Sequence, residues 1–301
     1  MFGVTVWYFH QLTRILRKPL WEVTYGTRWR KEDALAALLI RLRLNLSYRC
    51  MVPLFGCSLS SIFNVVKKSI YYCGVFMSNF IRFPRIQERI KRGKWLHLKE
   101  NGRWKYYCVT WCLDGWNQYV YESQDSNIKH STYSAKAKAH TVKKIIFTDA
   151  QGAPIFVSKS YVGRPHDMQL VKFPEVKDFL QQFDKETYET NEFGLGDNAF
   201  SAIENSLVRN FLWSPRLDST ENYHKANHMG SVRHVVENIN ADLESFRALR
   251  DPLRVSPTNS LNDMLNEHHH MTIIVLVIIK DTQHKFPLNV TNAPPKLAQH
   301  L

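Results

Sequence analysis

One stretch limits the possible folds more than any other. Tyr107 to Val120 (YCVTWCLDGWNQYV) is dense in aromatic and β-branched residues, which predicts a buried strand and commits the chain to a sheet. In its middle stand Asp114 and Gly115. A buried carboxylate is costly unless a charge meets it. Taken alone, this Asp-Gly pair reads more simply as a hairpin turn. Two acids further along the chain favour a different reading, in which Asp114 belongs to a cluster that meets a cation.

The periodicity divides the chain. Residues 1–98 predict an all-helical N-terminal region, with a candidate helix-turn-helix over 34–70. Within it, a short helix over Leu46–Phe55 is followed by the turn Gly56-Cys57-Ser58 and a second helix from Leu59. Leu59, Ile62, Phe63 and Val66 would face the core. Ser60, Ser61, Asn64 and Lys68 would face out, a polar surface suited to a DNA groove. Arg85–Lys94 predicts a charged helix, and the polar stretch Lys99–Lys105 is taken as the boundary to a second domain over 99–282. Residues 283–301 read as a C-terminal tail.

In the second domain the strand through Asp114 precedes a predicted half-buried hairpin, Thr141–Thr148 with Pro154–Ser160. A helix over His166–Phe183 with a break at Pro174 follows. Then come a short strand at Phe193–Asp197, a helix over Ala199–Asn210 and a strand at Phe211–Trp213. The chain closes with a long helix from Met229 to Leu249, buried through Val232, Val235, Val236, Ile239, Leu243 and Phe246, and a helix over Leu261–Ile279 whose Ile and Val also suit a strand. This order predicts an α/β sheet with flanking helices.

Charge narrows the partners. Forty Lys and Arg against 27 Asp and Glu give a formal charge of +13 over 301 residues. Such a surface favours polyanions, nucleic acid first and acidic membrane second. The longest apolar run, Met271–Ile279, falls well short of the ~20 residues a membrane span needs, so no membrane partner is expected. At the N-terminus the apolar part precedes the basic part, the reverse of a secretory signal, and an amphipathic helix is the plainer reading beside a transit peptide. Five cysteines without regular pairing read as reduced thiols.

Asp197 ends its predicted strand, where open α/β sheets place reactive groups. Glu237 lies off the apolar stripe of its helix, in line with Arg233 and Asn240. Asp114, Asp197 and Glu237 together would suit hard divalent cations such as Mg²⁺ or Mn²⁺. In a two-metal site the ions stand roughly 3.5–4 Å apart.

The order of the motifs carries more than their spacing. CLDGWNQYV, the segment from Tyr133 to Asp167, GLGDNAF and VRHVVENINADLESFRALRD follow one another behind the helix-turn-helix. In this order the chain resembles the DDE superfamily of transposase endonucleases, in particular the Harbinger-type and related insertion-sequence enzymes, over roughly residues 35–280. The resemblance implies an RNase H-like mixed sheet, and a D-D-E triad of Asp114, Asp197 and Glu237 acting as catalytic and metal-holding acids on a two-metal (Mg²⁺ or Mn²⁺) site. Further implications are phosphodiester hydrolysis and strand transfer on double-stranded DNA, and a nuclear location; a homodimer is also admitted.

The chain departs from the family pattern in three places. Trp116 stands where Thr is usual after Gly115, and Ala199-Phe200 stands where Gly-Tyr is usual. Asp242 and Glu244 stand where the family carries cations. These acids motivate the alternative, a transposase-derived DNA-binding protein that no longer cuts.

Lys136, Lys138 and Lys143, with His140 and Lys144, form a basic cluster expected to contact phosphates. Asp167 matches a His-Asp pair of the family but reads first as a helix N-cap. His224 and His228 read as exposed loop histidines, and His268-His269-His270 lacks partner spacing for a metal. No dinucleotide fingerprint, P-loop or GxSxG elbow occurs.

Overall fold

The computed structural model describes residues 5–100, 102–203, 207–215, 220–254 and 260–284. Its helices in chain order are α1 (Val6–Ile15), α2 (Arg17–Thr24), α3 (Lys31–Leu44), α4 (Tyr48–Phe55), α5 (Leu59–Ser78), α6 (Ile86–Arg92), α7 (Ser126–Thr132), α8 (Asp167–Leu170), α9 (Pro174–Thr187), α10 (Thr220–Glu244), α11 (Arg247–Arg250) and α12 (Leu261–His284). The strands are β1 (Lys94–Glu100), β2 (Arg103–Tyr119), β3 (Tyr133–Ser134), β4 (Ala139–Asp149), β5 (Pro154–Val157), β6 (Tyr161–Val162), β7 (Glu192–Gly196) and β8 (Phe211–Trp213). The fold is mixed α/β with a helical N-terminal region, as the sequence predicts. Most of the expected C-terminal tail, residues 285–301, lies outside the described residues.

Two compact units divide the chain. One holds Met1–Arg82, Gln118–Tyr121 and Asp242–Leu301, the other Phe83–Asn117 and Glu122–Ala241.

The first unit is built around α5. Glu32 and Asp33 open α3 and Arg41 and Arg43 close it, each matching the sign of the helix dipole at its end. Gly56, at φ 58°, ends α4 in the left-handed conformation that glycine adopts without strain. The Ser58 hydroxyl then caps α5 by accepting the Ser61 N–H at 3.2 Å. The chain bends by 103° between α4 and α5, within the range of helix-turn-helix units. Ile62, Val65, Val66, Ile70, Cys73 and Met77 of α5 are buried, and α12 packs against this helix with Met271–Ile279 wholly buried. Helix geometry wins over the Ile/Val content of that run because burial on all sides suits a core helix.

Leu59 is 45% exposed at the first position of α5, contrary to its expected core position. Among the described residues no single helix is long and apolar enough to cross a membrane.

The second unit is built around β2. The sheet runs β3-β4-β2-β7-β8, with β1 hydrogen-bonded to β2 and with β5 and β6 to β4. β1 and β2 form an antiparallel hairpin from Lys94↔Val109 to Glu100↔Arg103, so the polar Lys99–Lys105 stretch turns inside the sheet. β7 runs parallel to both β2 and β8, which makes the sheet mixed. A register shift between Val109 and Trp111 of β2 re-aims the side chains along the strand.

One face of the sheet packs Trp111, Leu113, Ile145 and Phe147 against Val176, Leu180 and Phe183 of α9 and against Phe200 and Ile203. The other face packs Val109, Cys112 and Leu195 with Leu96 and Leu98 against Met229, Val232 and Val236. Gly194 lies under the Trp111 indole, whose ring occupies the place a Cβ would take.

Three local expectations change. β4 is buried on both faces from Thr141 to Asp149 rather than half-buried. Asn198–Ile203 is a 3₁₀ turn where a longer helix was expected, and residues 204–206 of that expected helix lie outside the described residues. α10 starts earlier than the apolar stripe indicates, at Thr220. The break before Pro174 stands as predicted, since proline begins a helix more readily than it continues one.

Candidate active site

The site is set by the parallel ladder between β2 and β7. Cys112 pairs with Leu195, and two residues further along each strand come Asp114 and Asp197. Strand alternation puts both acids on the side that carries Cys112 and Leu195, at one level of neighbouring strands about 4.8 Å apart. That is the side α10 covers with Met229, Val232 and Val236. Glu237 and Asn240 lie three residues apart on the same helix, on neighbouring positions of its surface.

Direct contacts tie the acids to their elements. Asn240 Nδ2 donates to Asp114 Oδ2 at 3.1 Å, and the Gly115 N–H donates to Asp114 Oδ1 at 2.8 Å. Asp197 Oδ1 accepts the Ala199 N–H at 2.9 Å and so starts the 3₁₀ turn. Glu237 accepts a hydrogen bond from Arg233 and lies 3.4 Å from His234 Nδ1. Burial pushes the Asp114 carboxyl up to about 6; Arg233 opposes this, while the charges of Asp197 and Glu237 add to it. The charges of Asp197 and Glu237 therefore both reach the Asp114 carboxyl.

A fourth carboxylate adjoins them. Asp167 is buried, accepts from Lys136 Nζ at 2.9 Å and lies 3.7 Å from Lys143 Nζ. Its carboxylate stands 3.3 Å from where a Gly115 Cβ would be. It is not the helix cap, because His166 occupies that position. Lys136 is held more basic by Asp167 against the opposing effect of burial, with smaller contributions from Asp197 and Asp114.

The residues suit a divalent cation by their chemistry. Asp114, Asp197 and Glu237 supply hard oxygens, and Asn240 Oδ1 is a buried acceptor without a hydrogen-bond partner. Among the described residues no three His, Cys, Asp or Glu side chains stand close enough to hold one ion together. The Glu237 carboxylate is engaged by Arg233 and by His234.

The basic residues divide. Lys136 and Lys138 are exposed, whereas Lys143 is buried and its ammonium donates to the Pro165 carbonyl at 2.9 Å. Lys143 therefore does not present its charge to a phosphate at the surface. Lys144 is buried too, its ammonium 3.3 Å from the Ser158 carbonyl, and burial holds its pKa well below the ordinary lysine value.

In the first unit Ser60, Asn64 and Lys68 form an exposed line on α5. Ser61 is instead half-buried and accepts the Trp29 indole N–H at 2.8 Å. Trp29 also packs on Phe55, with ring centroids 5.4 Å apart. All five cysteines are free thiols. Helix spacing accounts for the bond of Arg233 to Glu237, four residues apart on α10, whereas the bond of Asn240 to Asp114 depends on tertiary packing.

A family model described as DDE superfamily endonuclease matches residues 113–281, more than half of the chain. No curated protein and no solved structure matches it. The matched span contains Asp114, Asp167, Asp197 and Glu237. The chain belongs to the DDE superfamily of endonucleases.

Proposed function

We propose that the protein is a divalent-metal-dependent DNA endonuclease of the transposase type, with Asp114, Asp197 and Glu237 as its metal-holding acids. The electrostatics of Asp114 carry this reading: burial and two neighbouring carboxylates raise its proton affinity to about 6. A site that disfavours its own negative charge is one that a cation relieves. Asp114 and Asp197 would hold the ions from adjacent strands, and Glu237 would join them on release from Arg233. Mg²⁺ or Mn²⁺, when bound, supplies the polarising charge for attack on a phosphodiester phosphorus and for the leaving oxygen.

The remaining side chains orient and neutralise. Asn240 keeps the Asp114 carboxylate turned toward α10, and Lys136 offers an exposed cation beside the acids. Lys138 adds a second exposed charge, while Ser60, Asn64 and Lys68 supply a polar line for duplex contact in the first unit. The lysine contacts to phosphate position the duplex without reading its sequence.

A plasmid-nicking assay tests this proposal. The wild-type protein should convert supercoiled to relaxed DNA with Mg²⁺ or Mn²⁺. Asp114→Asn, Asp197→Asn and Glu237→Gln should each bring nicking to background. Undiminished nicking by Asp114→Asn would refute the assignment.

A second reading, a DNA-binding protein that has lost cleavage, is favoured by one contact: the carboxylate of Glu237 is engaged by Arg233 and His234. On that reading DNA affinity is salt-sensitive, indifferent to Mg²⁺, and unaffected by the three substitutions.

A further inference from the structure

The outer face of the β1–β2 hairpin is not used by the acidic site. Trp95, His97 and Lys99 alternate on β1 and are all exposed. Across the ladder His97 pairs with Tyr106 and Lys99 with Trp104. Trp95 is 60% exposed, Trp104 63% and Tyr106 59%, in a strand pair whose inner residues Leu96 and Leu98 are buried. Three large aromatic rings left in water on one small sheet face are unusual unless something stacks on them.

A cleft of about 740 Å³ lies beside these rings. Its walls are His97, Lys99, Trp104 and Tyr106 from the hairpin and His224, Lys225 and His228 from α10. The histidines of α10 belong to a helix rather than a loop, and their four-residue spacing puts both on one face of it. The volume is that of an ordinary small-ligand site.

Charge identifies the occupant. Lys99 shares the exposed face with these rings and Lys225 lines the cleft, while Lys94, Arg103 and Lys105 alternate onto the face of Leu96 and Leu98. Glu100 is already engaged by Lys105 at 3.0 Å, by the Tyr107 hydroxyl at 2.8 Å and by Lys225 at 3.5 Å. The surface therefore combines exposed π-faces with the ammonium groups of Lys99 and Lys225. Unpaired bases stack on such rings whatever their sequence, while the cations meet the phosphates. A duplex keeps its bases stacked inside and has no use for the rings.

We infer that the β1–β2 hairpin and the adjoining cleft of α10 form a binding site for an unpaired DNA strand, with bases on Trp104 and Tyr106 and phosphates toward Lys99. The choice of DNA over RNA rests on the endonuclease reading above; the stacking site itself does not. Stacking on an aromatic side chain contributes about 1–3 kcal/mol per base.

Fluorescence anisotropy with the full chain and short labelled oligonucleotides tests the inference. Oligo(dT) should bind, and an abasic oligomer of the same length should bind roughly tenfold or more weakly. Trp104→Ala and Tyr106→Ala, both at exposed positions, should each weaken oligo(dT) binding by about 5-fold or more and leave duplex affinity unchanged. Equal affinity of the abasic oligomer, or oligo(dT) affinity unchanged in both variants, would overturn the site. Tighter binding of oligo(rU) than of oligo(dT) would overturn the choice of DNA. Asp114→Asn should keep full oligo(dT) affinity, so a failure of the cleavage reading and a failure of this one register in different assays.

Discussion

Asp114 is where a sequence feature becomes chemistry. In a metal-free folded chain its carboxyl keeps a proton up to about pH 6, against an unfolded value of about 3.9. Between those limits the folded state binds more protons than the unfolded one, so stability falls as pH rises through the window and is unaffected below it. The cost at pH 8 is on the order of 2–3 kcal/mol. Asp114→Asn removes the charge while keeping the shape. In EDTA at pH 8 this variant should melt above the wild type, and at pH 4 the two melting temperatures should converge. Equal differences at both pH values in a calorimetric scan would show that Asp114 is not destabilised by its own charge.

Other residues show what sequence can and cannot display at this scale. Motif order singled out Asp114, Asp197 and Glu237, and the Asp114 carboxyl is raised by burial and by the charges of the other two. The i,i+4 spacing of Arg233 and Glu237 shows in the sequence, but the pairing of Asp114 with Asn240 does not, because it depends on how α10 lies against β2. Lys143 was misread for a related reason: alternation assigns a strand two faces but cannot tell that both are covered. Its ammonium finds partners in Pro165 and Asp167 inside the unit.

Elements were legible where periodicity was strong and flanks were punctuated. The strand through Asp114, the hairpin at Thr141–Ser160, the break at Pro174 and the helix carrying Glu237 all appear. β1 was missed because its alternation, Trp95 to Lys99, runs on from a charged helix and into a polar turn that resembles a boundary. The turn at Gly56 was read from its glycine, and the positive φ there explains the choice of residue.

Packing adds a constraint that sequence hides. Gly194 looks like an ordinary strand glycine, yet the Trp111 indole crosses it from the neighbouring strand. Trp111 is itself enclosed by Phe147, Phe183 and Phe211, at centroid distances of 5.6, 4.8 and 5.6 Å, and has no room to retreat. Gly194→Ala should therefore cost about 1–3 kcal/mol or more in urea unfolding, as overpacked cores do. A loss below about 0.5 kcal/mol would mean that the core at this point is looser than its packing indicates.

At the scale of the whole molecule, the +13 charge and the family agree on DNA. The first unit collects segments far apart in the chain, with α12 packed on α5, an arrangement no local pattern announces. Metal binding is the property that joins residue, element and family in one claim. Titration of Mn²⁺ followed by loss of the free-ion electron paramagnetic resonance signal measures it most directly. The wild-type protein should take up Mn²⁺ in competition with Mg²⁺, and Asp114→Asn and Glu237→Gln should each lose affinity roughly tenfold or more. Undiminished Mn²⁺ uptake by both variants would contradict the account.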